Sequence, residues 1–265
     1  GAEEVREAVG PGVTYATRTK GDGLGQALSQ VLPAVPGQPE IAMILYGDAP
    51  LLRPQILEQM RDAHQAEGAA VTMMFQLQDP LHGNAAAPAA AGHPLVVTGG
   101  PRGGVQQEFM GEAGAGVLCF DSDWLWANLD LLSEDEFHLS DLVALASEQG
   151  DAVIALPLAD PLEVTRVDNL LKLAQAEAEM RRRINEEWML AGVTMVDPAT
   201  TYIEAGVQIG ARTTIRPGTH LQGETRIGQG CTLGPGSVIR DSTVGDKCKI
   251  ELSVVEHAIM EEGSE

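Results

Sequence analysis

The sequence predicts an α/β domain built on a parallel sheet, then a connecting helix, then a solenoid of stacked parallel β-strands. Three observations carry that expectation. Over residues 1–165, short apolar runs alternate with segments of helical spacing. Residues 168–190 place apolar side chains on one face of a single long helix. From Ile203 onward, aliphatic residues recur every six positions, a period that belongs neither to a helix nor to a simple strand.

The α/β elements follow in chain order. Ile41–Tyr46 (IAMILY) is a continuous apolar run, as in a strand buried on both faces, and Gly47-Asp48-Ala49-Pro50 breaks it. Ile56, Leu57, Met60 and Ala63 have helical spacing. Ala70–Leu77 reads as a strand, and residues 79–93 (DPLHGNAAAPAAAGH) as loop or disorder. Gly116–Phe120 and Ala152–Leu156 read as strands, Ser122–Leu132 and Leu139–Ser147 as helices. On sheets of this kind ligands sit beyond the carboxyl ends of the strands, and Asp48 lies two residues past such an end. Leu170, Leu173, Met180, Ile184 and Trp188 then mark one face of the connecting helix. Arg181–Arg183 on that helix read as a phosphate site or, more simply, as a solvated face.

The solenoid is read from two columns that keep phase. The first is Ile203, Ile209, Ile215, Leu221, Ile227, Leu233 and Ile239, then after one five-residue step Val244 and Ile250. Four places after each stand Val207, Thr213, Thr219, Thr225, Cys231, Ser237, Thr243, Cys248 and Val254, all small or β-branched. Each six-residue unit is thus a short strand plus a sharp turn, and stacking buries a column that no unit could bury alone. About three turns are expected.

Composition bounds the function classes. The chain has 265 residues and a formal net charge of −21, from 38 acidic and 17 basic residues. Such a surface disfavours sequence-independent binding to nucleic acid or to anionic membrane. It leaves room for an anionic nucleotide whose phosphates are met by a metal or by backbone amides. Apolar residues make up 44%, an ordinary globular share, and no run approaches a membrane span. No signal-like segment opens the chain, and Cys119, Cys231 and Cys248 have no ligand spacing. A cytoplasmic protein is expected, with neither structural zinc nor partners among nucleic acids or membranes. Cys231 and Cys248 fall at one column position on adjacent turns, about 4.8 Å apart, either as small packing residues or as a redox pair.

Several segments together resemble the bifunctional bacterial N-acetylglucosamine-1-phosphate uridylyltransferase/glucosamine-1-phosphate acetyltransferase family. They are Gly23-Leu-Gly-Gln-Ala27, LYGDAPLL (45–52), Phe137-His-Leu-Ser-Asp141, EVTRVDNLLKL (163–173) and LAGVTMVDPATTYIEAGVQIG (190–210). The resemblance implies a GT-A-like (Rossmann-like) nucleotidyltransferase domain over residues 1–167, incomplete at its N-terminus. It implies a linking helix over 168–192 and a left-handed parallel β-helix of hexapeptide repeats over 193–265. The implied reaction is uridylyl transfer from UTP to N-acetylglucosamine 1-phosphate, giving UDP-N-acetylglucosamine and pyrophosphate with Mg²⁺, by a homotrimer. By the same resemblance Asp48 and Asp168 are metal ligands sharing one cation. Gly23, Gly25, Tyr46 and Gly47 border the nucleotide, and Gly83 contacts the sugar. Taken alone, Asp48 reads equally as a turn residue, Asp168 as a helix N-cap and the two glycines as turn glycines.

The sequence departs from the family at several points. The family's LAAGxGTRM loop, which holds UTP phosphates, has no counterpart in these residues. Its Gly-Thr-Gly is Gly23-Leu24-Gly25, an expected Gln is Arg18, and its Asn-Thr-Gly is Gly114-Ala115-Gly116. Asp168 replaces an Asn, which keeps an oxygen ligand and adds a charge. The later coils with the acetyltransferase residues are not in this sequence. Impaired transfer and no acetyl transfer are therefore expected. The alternative is a non-catalytic trimeric scaffold or regulatory relative of the family.

Overall fold

The structure is a computed structural model and describes residues 2–15, 28, 31, 35, 37, 39–76, 95–98, 117–129, 139–158 and 160–265. The chain divides into two compact units, Gly1–Val167 and Asp168–Glu265. Residues 79–93 and Phe137-His138 lie outside the described residues.

In the first unit, α1 spans Ala2–Val9, β1 Ile41–Leu45, α2 Pro54–Glu67, β2 Val71–Gln76 and β3 Leu95–Thr98. Then follow β4 (Val117–Asp121), α3 (Ser122–Asn128), α4 (Leu139–Gln149) and β5 (Ala152–Leu158). A 3₁₀ turn at Pro161–Val164 comes last. The helices begin and end for local reasons. Pro54 opens α2, where a missing N–H costs nothing, and Gly68 closes it in the left-handed conformation at φ 59°. Asp121 caps α3 by accepting from the Trp124 amide.

The five described strands lie in the order β1-β4-β2-β5-β3. The parallel sheet expected from the sequence is in fact mixed. Only β2 and β5 pair in parallel, while β4 runs antiparallel to both β1 and β2, and β3 antiparallel to β5. Alternation of strands and helices does not dictate direction when a reversed strand inserts between two neighbours. β1, β2 and β5 still point the same way, so their carboxyl ends share one edge.

Period-2 alternation sorts the central strands onto two cores. Leu118 and Phe120 of β4 face a cluster with Leu125 of α3 and Leu142, Val143 and Ala146 of α4. Val117 and Cys119 face the other way, with Ile56 and Met60 of α2. Both sides are covered, which explains the unbroken apolar runs. β1 departs from its reading: as the outermost described strand it is half-buried, with Leu45 exposed.

The second unit opens with α5, Leu170–Leu190, whose Asn169 side chain caps it by accepting from the Lys172 amide. Ile184 and Trp188 of the expected apolar face pack on the solenoid core, while Leu170 and Leu173 are exposed. The solenoid strands are β6 (Thr194–Met195), β7 (Tyr202–Ile203), β8 (Gln208–Ile209), β9 (Thr214–Ile215), β10 (His220–Gln222) and β11 (Arg226–Ile227). They continue as β12 (Thr232–Leu233), β13 (Val238–Arg240), β14 (Thr243–Val244), β15 (Lys249–Ile250), β16 (Val254–Glu256) and β17 (Ile259–Met260). Three parallel sheets of four strands result: β7-β10-β13-β16, β8-β11-β14-β17 and β6-β9-β12-β15. The coil thus has four levels rather than three, because β6 already pairs with β9 and the last strands reach Met260. The tail is hydrogen-bonded to the coil: the Gly263 amide donates to the Asp246 carbonyl at 2.8 Å, and the Lys249 amide donates to that of Ser264 at 2.9 Å.

The aliphatic column is buried as expected, with Ile215, Leu221, Leu233 and Ile239 at 0% exposure. The small column needs one correction. Thr243 and Val254 face solvent, and Ser242 takes the inward place. The inward small residue sits two before the next aliphatic residue, on the strand that follows the turn. A shortened step therefore moves it with that strand. Cys231 and Cys248 do occupy equivalent positions, each just before the paired residues Thr232 and Lys249, and both are free thiols.

Candidate functional site

The candidate site forms where β1 ends. After Leu45 the chain turns sharply: the Ala49 amide donates to the Tyr46 carbonyl at 3.3 Å, and Ala49 is buried. This turn holds Tyr46, Gly47 and Asp48 at the strand-end edge. A backbone bond from the Val167 amide to the Asp48 carbonyl, at 2.7 Å, ties it to the segment after β5. Strands β1 and β5 run in the same direction, so topology brings their following loops to one edge.

That tie delivers a residue that sequence reasoning did not single out. Arg166 donates through Nε and Nη2 to Asp48 Oδ2, both at 2.8 Å. The same guanidinium lies over the Tyr46 ring, 4.6 Å from its centroid. Such stacking suits a planar, weakly hydrated cation. Arg166 belongs to the EVTRVDN segment, 118 residues from Asp48. Its charge was visible in sequence, but nothing local announced its partner.

Asp48 Oδ1 is buried and has no hydrogen-bond partner among the described residues. A buried, unsatisfied carboxylate oxygen is costly unless something else meets it. A hard divalent cation is a natural occupant. Mg²⁺ takes one or two carboxylates and fills its remaining positions with water and phosphate oxygens. Among the described residues no group of three or more His, Cys, Asp and Glu side chains converges on a metal site. A carboxylate oxygen is the kind of donor that a hard, oxygen-loving cation takes.

A second ion pair braces the same edge. Arg53, just before α2, donates to Glu163 of the 3₁₀ turn, with Nε at 2.7 Å from Oε1. Glu163 is 0% exposed, and its Oε2 has no partner among the described residues. This pair was also missed, for the same reason: its members stand 110 residues apart.

The other expected site residues are distributed as follows. Asp168 opens the second unit, where its Oδ2 accepts from Lys172 Nζ and its Oδ1 from Asn169 Nδ2, both at 2.7 Å. The helix N-cap is Asn169, not Asp168. Gly23, Gly25 and Gly83 lie outside the described residues. The Arg181–Arg183 run is engaged at the helix surface: Arg182 and Arg183 pair with Glu179, and Arg181 covers the Tyr202 ring. A shallow cavity of about 280 Å³ lies within the second unit, between α5 and β7 and β10, lined among others by Arg181, Tyr202 and His220. The Tyr202 and His220 rings stack there at 4.4 Å. Of the expected site residues, Arg181 alone lines it; Tyr46, Gly47, Asp48 and Asp168 do not.

Comparison with known proteins places this geometry. The bacterial transferase hexapeptide family (six repeats) matches residues 200–241, and its repeats build the left-handed parallel β-helix seen here. The bifunctional protein GlmU of Geobacter metallireducens is 39% identical over 237 residues, 88% of this chain and 50% of that protein. That of Heliobacterium modesticaldum is 34% identical over 96% of this chain and 57% of its own length. That of Pediococcus pentosaceus is 34% identical over 100% of this chain and 58% of its own. A solved CMP:2-keto-3-deoxy-manno-octonic acid synthetase complexed with CTP matches 68% of this chain and 77% of its own, at 19% identity and a TM-score of 0.46. No helix among the described residues is long and apolar enough to cross a membrane. The chain spans about half the length of the curated relatives it matches, and over that span it belongs to the family of the bifunctional protein GlmU.

Proposed function

We propose that the chain carries a sugar-1-phosphate nucleotidyltransferase site, with UTP and N-acetylglucosamine 1-phosphate as substrates. The observation that carries this reading is Asp48: a carboxylate at a strand end, beside Tyr46, with one buried oxygen left unpaired. In the proposed reaction an oxygen of the sugar phosphate attacks the α-phosphorus of UTP in line. The bond from that phosphorus to the bridging oxygen breaks, and pyrophosphate leaves. Such chemistry is mostly positioning and charge neutralisation. Bound Mg²⁺ would neutralise phosphate charge, held by Asp48 and, on this reading, Asp168. Tyr46 and Gly47 border the nucleotide. Gly23 and Gly25 would approach the base and Gly83 the sugar.

We further propose that the 265 residues transfer slowly when isolated, because they include no LAAGxGTRM-type phosphate loop. The experiment is UDP-N-acetylglucosamine formation at high protein concentration, with and without Mg²⁺, for the unaltered chain and Asp48→Asn. Slow, Mg²⁺-dependent synthesis that Asp48→Asn abolishes supports the reading. Fast synthesis would contradict the proposed impairment. No synthesis together with no UTP binding would favour a non-catalytic trimeric scaffold. Association into a homotrimer through the solenoid faces is part of the proposal. Sedimentation showing only a 28.0 kDa species at micromolar concentration would argue against it.

A further inference from the structure

We propose that Arg166 and a divalent cation compete for Asp48, so that Arg166 sets how tightly the site takes its metal. The inference rests on the reading of Asp48 as a metal ligand. It starts from the division of labour between the two oxygens of that carboxylate. Oδ2 accepts both guanidinium contacts, each at 2.8 Å. Oδ1 is buried and, among the described residues, without a partner.

A cation ligating Oδ1 would stand only a few ångström from the guanidinium on Oδ2. One carboxylate charge would then face three positive charges. The Asp48 side chain is 33% exposed, so water screens that repulsion only in part. The guanidinium is also seated on the Tyr46 face, so it has no cost-free retreat while it keeps that contact. Metal entry at Asp48 must therefore displace Arg166 or bind against it. By the same argument the pair keeps Asp48 neutralised while no metal is bound. Arg166 acts here as a positioning residue on the carboxylate. Its removal would leave both oxygens, and the whole negative charge, to the cation.

The test uses Mn²⁺ alone as the probe, with the 265-residue chain and no nucleotide, read by water-proton relaxation. Asp48→Asn should abolish the tightest Mn²⁺ site. Arg166→Gln should tighten it about fivefold or more, the size expected for releasing a half-exposed ion pair. Arg166→Lys, which keeps the charge but loses the planar two-nitrogen grip, should fall between. Circular dichroism checks that each variant is folded. A measurement on the unaltered chain stands beside these: Mn²⁺ should raise the rate at which phenylglyoxal modifies Arg166, located by peptide mass. If Asp48→Asn removes the site but Arg166→Gln binds Mn²⁺ no tighter, and Arg166 reactivity does not rise, the competition is overturned while Asp48 stands as ligand. If Asp48→Asn binds as the unaltered chain does, Asp48 is not the ligand and both readings fall.

Discussion

Glu179 shows how much one charge can be worth on the surface of the linking helix. Its side chain is only 10% exposed and accepts from Arg182 Nε and Nη2 and from Arg183 Nε, all at 2.8 Å. These bonds, that of Arg182 foremost, hold its carboxyl down to about 2. A carboxylate depressed in the folded state stabilises above its unfolded value of about 4.5, and that contribution disappears as pH falls toward 2. Arg182 is half exposed, so the gain is discounted for screening. Glu179→Gln should cost about 1 kcal/mol at pH 7 and nothing near pH 2, measured by urea unfolding at both. The cysteines make an opposite case. Burial pushes the Cys119 thiol up to about 12 and raises that of Cys231. All three cysteines are buried, so a disulfide reagent should label none of them in the folded chain during the time in which it labels three in urea. Rapid labelling of Cys231 or Cys248 in the folded chain would show that the coil opens there.

Among the elements, the solenoid is governed by how closely its turns approach. At Gly228 an added Cβ would lie 2.6 Å from the Gly245 carbonyl carbon and 2.7 Å from the Asp246 amide nitrogen, both backbone atoms of the next level. Neither can move without shifting a strand. Gly228→Ala should therefore cost about 2 kcal/mol or more, comparable with the ~2–5 kcal/mol expected for the cavity made by Leu233→Ala. Thermal melts of the two variants check this, and an unshifted Gly228→Ala melt would mean the turns are looser than described. These elements also show what could be read from residues alone. A period of six forces an aliphatic side chain inward once per strand, so the column from Ile203 to Ile250 was legible. The left-handed turn positions at Arg212, Asp241, Lys247, Leu252 and His257 were not, since at such φ values one looks for glycine. Where a step shortens, the turn loses a residue while the strand keeps its phase. That is why Ser242 rather than Thr243 faces the core.

Across the whole molecule, legibility follows sequence distance. Asp48 and Tyr46 were found because a buried strand ends beside them. Arg166 and Glu163 were not, because their partners are more than a hundred residues away and only the shared direction of β1 and β5 brings them to one edge. The same distances bear on stability. The ion pairs 48–166 and 53–163 tie the strand-end loops together within Gly1–Val167. The second unit closes its own core from Val193 to Ile250, roofed by Ile184 and Trp188. It also anchors its helix, through Asn185 Nδ2 to the Pro198 and Thr201 carbonyls at 2.9 and 3.1 Å. These contacts all lie within residues 168–265. Residues 168–265 should thus fold when expressed alone, and the full chain should unfold in two calorimetric transitions. Stacked levels bury their column only against neighbours, so the solenoid transition should be sharp and should respond to Leu233→Ala. The other transition should respond to Glu163→Gln, which leaves Arg53 facing a buried neutral amide. A single transition shifted equally by both substitutions would show that the two units fold as one.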